Sequence, residues 1–88
     1  MPANAGNNKR RIFMPFIHVY AYSGRDEAIK QKAAQAMVKA AGEAMGVPEA
    51  AFTVVYEDIA KENWEADIVQ KIIEPLRGKM LIDKGKPV

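Results

Sequence analysis

The chain has 88 residues, 49% of them hydrophobic, with a net charge of +2, a single histidine and no cysteine. That length and composition hold one small globular domain, and the lack of cysteine excludes disulfides and thiolate metal sites. With His18 the sole imidazole and no carboxylates clustered at ligand spacing, no metal site is expected, and a chain that hides only about 60 to 65% of its unfolded surface calls for partner subunits as its support.

Charge gives little guidance to a partner. Basic residues gather near the two ends, as Lys9, Arg10 and Arg11 and as Lys79, Lys84 and Lys86, while Phe16, Tyr20 and Tyr22 have no Lys or Arg beside them. A nucleic-acid surface needs the two kinds interleaved on one face, so no nucleic-acid partner is expected. The apolar stretch from Ile12 to Ile17 is too short for a secretory signal and is broken by Pro15. No apolar run reaches membrane-spanning length. The expectation is a soluble, cytoplasmic protein without a membrane partner.

In chain order, residues 1–9 are polar, lack periodicity and are expected to be disordered. Phe16-Ile17-His18-Val19-Tyr20-Ala21-Tyr22 reads as a strand whose two alternate sets are both largely apolar, so both of its faces should be covered. Ser23-Gly24 breaks it, and Asp26 can cap a helix that starts at Glu27 and runs to about Met45. The predicted buried stripe is Ile29, Ala33, Ala36, Met37, Ala40, Ala44 and Met45, with Lys30 and Gln35 on the wetter side. Gly46 is the left-handed cap, Pro48 stops the helix, and Phe52 to Glu57 reads as a second strand.

Strand, helix and strand in this order make a right-handed βαβ crossover with parallel strands. One helix covers one face of such a sheet, so the other face needs more protein. From Trp64, the recurrence Trp64, Ile68, Ile72, Leu76 and Met80 predicts a second amphipathic helix, kinked or divided by Pro75 and extending to about Asp83. Gly85 to Val88 is left as a frayed or docking tail.

Several features together resemble the 4-oxalocrotonate tautomerase family over Pro15 to Trp64. They are Met14-Pro15 before a strand, Gly24-Arg25 after it, a long helix closing on Met45-Gly46-Val47-Pro48, and a second strand that leads through Ile59-Ala60-Lys61-Glu62-Asn63 to Trp64. The resemblance implies an α/β (α+β) fold of βαβ units completed by homo-oligomerisation. It also implies a cofactor-independent isomerase acting on a small carboxylate. In that family the N-terminal proline's free secondary amine is the general base for keto-enol proton shifts, which places that role on Pro15. Burial and a nearby cation lower an amine's pKa and suit it to carry a proton between carbon and oxygen. By the same resemblance, Arg25 holds the substrate carboxylate and stabilises the developing enolate, and Trp64 forms an apolar wall.

The chain departs from the family pattern in two places. The family's second arginine aligns with Thr53, which can hydrogen-bond a substrate but cannot pair with a carboxylate. A monocarboxylate enol of phenylpyruvate type is therefore expected over a dicarboxylate, with the aromatics Tyr20, Tyr22, Phe52, Tyr56 and Trp64 available to pack it. A helical ending resembles the phenylpyruvate-tautomerase-like branch, which favours a dimer over a hexamer. Related decarboxylase or dehalogenase chemistry on the same scaffold is the alternative activity. His18 is expected to be a hydrogen-bonded strand residue, and Glu57 and Asp58 to be solvated strand-end acids.

Residues 1–14 conflict with the proline's role, because a peptide bond to Met14 makes the nitrogen of Pro15 a tertiary amide and not a base. Three accounts of this extension stand: a translation start that belongs at Met14, a propeptide, or an interface arm. Lys9-Arg10-Arg11 can be encoded to contain AGGAGG, a ribosome-binding sequence, which favours the first. The tautomerase domain is then 15–88. If the extension is retained, the chain is a non-catalytic oligomeric module.

Overall fold

A computed structural model of the protein describes residues 14–88. The expectations for residues 1–13, their disorder and the basic triplet at 9–11 included, lie outside the described residues. Residues 14–19 with 25–57 form one compact unit, and residues 20–24 with 58–88 form another.

The strands β1 (Phe16–Tyr22) and β2 (Thr53–Ile59) make a two-stranded sheet. Near their starts the Thr53 N–H donates to the Pro15 carbonyl at 3.2 Å, and near their ends the Ser23 N–H donates to the Ile59 carbonyl at 3.0 Å. Start meets start and end meets end, so the pair is parallel, as a helical crossover requires. β2 lies slightly later than the Phe52 to Glu57 expected from its composition.

Between the strands runs α1 (Glu27–Met45). Its first turn is closed by the Asp26 carboxylate, which accepts from the Ile29 N–H at 2.9 Å. At the other end Gly46 takes φ 71°, and the N–H groups of Gly46 and Val47 both donate to the Gly42 carbonyl, at 2.9 and 3.1 Å. This is the left-handed cap anticipated from Gly46-Val47-Pro48. Gly42 is buried for a packing reason: a Cβ there would lie 2.9 Å from the Val47 carbonyl oxygen and 3.7 Å from the Phe52 ring.

The helix is turned relative to the stripe predicted for it. Lys30, Ala33, Ala34, Met37, Val38 and Ala41 are the partly covered positions, whereas Ala36, Ala40 and Ala44 are exposed and Ile29 and Met45 are 51% and 57% exposed. Alanine bears on both faces, so apolar spacing alone did not fix the rotation. A charged stem lies on the covered side: the Lys30 side chain is 12% exposed, with its ammonium 5.8 Å from the centre of the Tyr56 ring and 2.7 Å from the Glu27 carboxylate. Its methylenes cover apolar surface while its charge keeps partners.

The face of the sheet carrying Phe16 and Val55 is open, these residues being 61% and 38% exposed. Coverage of both faces is thus not achieved within the described residues.

In the second unit, α2 (Trp64–Ile73) is wound with i→i+5 bonds, the Glu74 N–H reaching the Val69 carbonyl. Ile68, 3% exposed, is its buried anchor. Pro75 divides the predicted long helix, since it cannot donate an N–H, and a 3₁₀ segment over Glu74–Lys79 follows.

The expected helix does not extend to Asp83. Helical structure stops at Lys79, and β3 (Ile82–Asp83) pairs antiparallel with β4 (Lys86–Pro87). Lys84 and Gly85 both have positive φ, 51° and 83°, as a two-residue hairpin turn needs. Arg77 ties the hairpin to the segment before it, with two bonds to Glu74 at 3.0 and 2.9 Å and one to Asp83 at 3.4 Å. The hydrogen bonds from Arg77 hold the Glu74 carboxyl below its ordinary value, and the Arg77 guanidinium is raised in return.

Candidate active site

Pro15 is half-buried and leads directly into β1. Its carbonyl is engaged by Thr53, and its nitrogen is acylated by Met14, which is 70% exposed. In this covalent state the nitrogen offers neither a proton nor a basic lone pair. Thr53, exposed, opens β2, so the bond between the two residues sets the predicted base and the predicted second binding position side by side at one end of the sheet.

Arg25 lies beyond the other end of β1. Six residue steps from Phe16 to Tyr22 cover about 20 Å at about 3.3 Å per step, and Arg25 follows after Ser23 and Gly24. Gly24 takes φ 126°, a conformation that a side chain would strain, and so turns the chain toward the Asp26 cap. Arg25 is exposed. Within one chain, Pro15 and Arg25 therefore stand at opposite ends of the same strand, and the structure does not bring these two together.

Trp64, half-buried, begins α2 and packs edge-on against Tyr22, with ring centres 5.1 Å apart and planes at 85°. Tyr22 remains 44% exposed. An aromatic corner of this kind presents a π surface to an apolar group while holding its own geometry. Tyr22 appeared in the sequence only as one aromatic among several. Its contact with a residue 42 positions later carried no local signal.

His18 has a partner across the sheet, its Nε2 lying 2.9 Å from a Glu57 carboxylate oxygen, and the Phe16 ring stands edge-on to it at 6.0 Å. This hydrogen bond accords with the expected structural role of the histidine. Glu57 and Asp58 are both exposed. Among the described residues no three His, Cys, Asp or Glu side chains gather as metal ligands, and no helix is long and apolar enough to cross a membrane.

Two clefts flank α1. One, of about 470 Å³, lies against Ala34, Val38, Ala50 and Val54, and a smaller one of about 250 Å³ reaches Lys30 and Tyr56. Neither is lined by Pro15, Arg25, Thr53 or Trp64. They mark incompletely covered flanks of the crossover.

A sequence profile described as Tautomerase enzyme matches residues 15–67, opening on Pro15 itself. The chain is 39% identical over 51 residues to a 2-hydroxymuconate tautomerase of Comamonas testosteroni, a match covering 58% of this chain and 81% of that protein. It has the same identity and coverage with a 2-hydroxymuconate tautomerase of Pseudomonas putida. No solved structure gives a significant match. The parallel βαβ crossover and these matches agree, and the chain belongs to the tautomerase family, that of 4-oxalocrotonate tautomerase, as an isomerase of the tautomerase type.

Proposed function

We propose that the chain, once trimmed to begin at Pro15, is a cofactor-independent tautomerase of small 2-oxo/enol carboxylates, with the Pro15 amine as general base. The observation that carries this reading is the start of the family match at residue 15, which makes the proline its first residue. The free secondary amine takes the enol hydroxyl proton and returns a proton to carbon, so the reaction is balanced without a cofactor. Arg25 binds the carboxylate and stabilises the negative charge that develops on oxygen. Trp64 excludes water from the reacting atoms. In a chain that keeps Met14, the acylated nitrogen cannot do this, and the same fold serves only as an oligomeric module.

The separation of Pro15 from Arg25 along β1 supports a site shared between copies: the proline of one copy works with the arginine of another. A homo-oligomer is therefore part of the proposal, with a dimer as the smallest assembly that meets the requirement. The exposed Phe16 and Val55, the outward Ile29 and the hairpin residues Leu81 and Ile82 are surfaces that a partner copy can cover. The hairpin removes the reason drawn from a helical ending for preferring a dimer to a hexamer.

Thr53 supports a monocarboxylate substrate of phenylpyruvate type. The 2-hydroxymuconate in the relatives' names is a dicarboxylate, and a hydroxyl at Thr53 cannot form the paired, charge-assisted bonds that an arginine gives a second carboxylate. The test is ketonisation of phenylenolpyruvate and of 2-hydroxymuconate by protein beginning at Pro15. Turnover favouring the aryl substrate is expected, and comparable turnover of the two would refute the preference.

A further inference from the structure

We propose that Tyr22 is a positioning residue for Trp64, fixing the indole edge-on so that the pair selects aryl over alkyl carboxylates. The proposal rests on the reading of Trp64 as the apolar wall of the tautomerase site. Its footing is the T-shaped contact at 5.1 Å between the last residue of β1 and the first of α2. Edge-to-face pairing places the positive rim of one ring on the negative face of the other, which defines an orientation as well as a distance.

The backbone beneath the pair is held in place. Ser23 N–H donates to the Ile59 carbonyl at 3.0 Å, joining the ends of the two strands, and Asn63 N–H donates to the Ala60 carbonyl at 2.9 Å within the turn that follows. Trp64 N–H closes on the Lys61 carbonyl. The backbone of Trp64 is thus set by this corner, but Asn63 supplies no side-chain cap to the helix it precedes, and the indole's orientation depends on what packs against it. Tyr22 is an aromatic neighbour in direct contact with it.

Exposure separates this pair from ordinary core packing. Tyr22 keeps 44% of its surface accessible, so the pair is not sealed within a core. A phenyl group gains from a preorganised π surface where a short alkyl chain gains little, and an indole free to rotate must be ordered again on binding. Tyr22 therefore acts on the aryl preference and leaves the proton transfer at Pro15 to the base.

Trp64 is the only tryptophan, so its emission reports on this corner directly. The full chain and its variants are titrated with 3-phenylpropionate and with butyrate, following tryptophan emission. The parent is expected to bind 3-phenylpropionate more tightly. Tyr22→Ala should weaken that binding about fivefold to tenfold and shift the emission to longer wavelength, with butyrate unaffected. Tyr22→Phe should restore both, because the ring edge and not the hydroxyl makes the contact. Tyr22→Leu carries the test if circular dichroism shows Tyr22→Ala unfolded. Unchanged aryl affinity in Tyr22→Ala, equal loss in Tyr22→Phe, or no binding of 3-phenylpropionate by the parent would overturn the proposal. Enol turnover by the chain beginning at Pro15 is measured alongside. Absent turnover with an intact Tyr22 effect refutes the tautomerase reading alone, and turnover without a Tyr22 effect refutes the positioning role alone.

Discussion

The carbonyl oxygen of Pro15 accepts the amide hydrogen of Thr53 at 3.2 Å, so the predicted base, just ahead of β1, lies beside the first residue of the neighbouring parallel strand, where the resemblance leads one to expect a second arginine. That adjacency makes Thr53 the position at which carboxylate number can be changed. Thr53→Arg should raise kcat/KM for a dicarboxylate enol at least about tenfold relative to a monocarboxylate, the range expected of a charge-assisted pair. Competition kinetics with the two substrates measure the ratio, and the exposed position makes a folding defect unexpected.

Arg25→Ala, in protein beginning at Pro15, should lower kcat/KM about 10²-fold or more through lost carboxylate binding and lost stabilisation of the enolate. If the arginine serves another copy's proline, activity should return when Arg25→Ala and Pro15→Ala chains are mixed and reassembled. In a dimer each variant chain then supplies the group that the other lacks. No recovery in an assembly shown to contain both chains would contradict the shared site.

Gly42→Ala opposes two effects. Alanine is better than glycine in a helix by about 1 kcal/mol, but its Cβ would sit 2.9 Å from the Val47 carbonyl oxygen, backbone that cannot swing aside. Overpacking of this kind costs about 1 to 3 kcal/mol, and that carbonyl belongs to the segment closing the helix. A net loss of up to about 2 kcal/mol is expected by urea denaturation, and a gain in stability would contradict the close approach.

Acid should release the C-terminal hairpin before the rest. The Glu74 carboxyl is held below its ordinary value by its bonds to Arg77. A depressed carboxyl contributes above its unfolded pKa, and that contribution disappears as pH falls through the folded value. The raised Arg77 keeps its charge throughout this window. Below about pH 4.5 the tie from Glu74 through Arg77 to Asp83 therefore weakens. Amide exchange at Val88, whose N–H donates to the Leu81 carbonyl at 3.1 Å, should accelerate beyond the intrinsic pH effect. Arg77→Ala should show the same acceleration at neutral pH.

Where the sequence was legible, short-range chemistry carried the signal. Asp26 at the start of α1, Gly46 at its end and Pro75 just past α2 each act through the backbone of their own neighbourhood, and each interrupts or caps a helix where expected. The rotation of α1 was not legible, because alanines lie on both sides and the burial of Lys30 depends on Tyr56, far along the chain. The hairpin was not legible for a different reason. Its strands are two residues each, too short for alternation to register, and only the Lys84-Gly85 turn could have announced it.

The candidate site was legible as a set of residues but not as an arrangement. The resemblance points to Pro15, Arg25 and Trp64 as candidates and carries no information on which copy would supply each. The parallel strand itself separates Pro15 from Arg25, and the Tyr22–Trp64 contact depends on tertiary packing.

The central claim is that the secondary amine of Pro15 does the chemistry, and one paired measurement addresses it most directly: ketonisation of phenylenolpyruvate by the chain beginning at Pro15 and by the 88-residue chain, at equal concentration and with N-termini verified by mass spectrometry. An enzyme using that amine should be active in the first form and lose at least about 10²-fold in kcat/KM in the second, where the nitrogen is an amide. Equal activity in the two forms would contradict the account, since the only change between them at Pro15 is the one that abolishes its basicity.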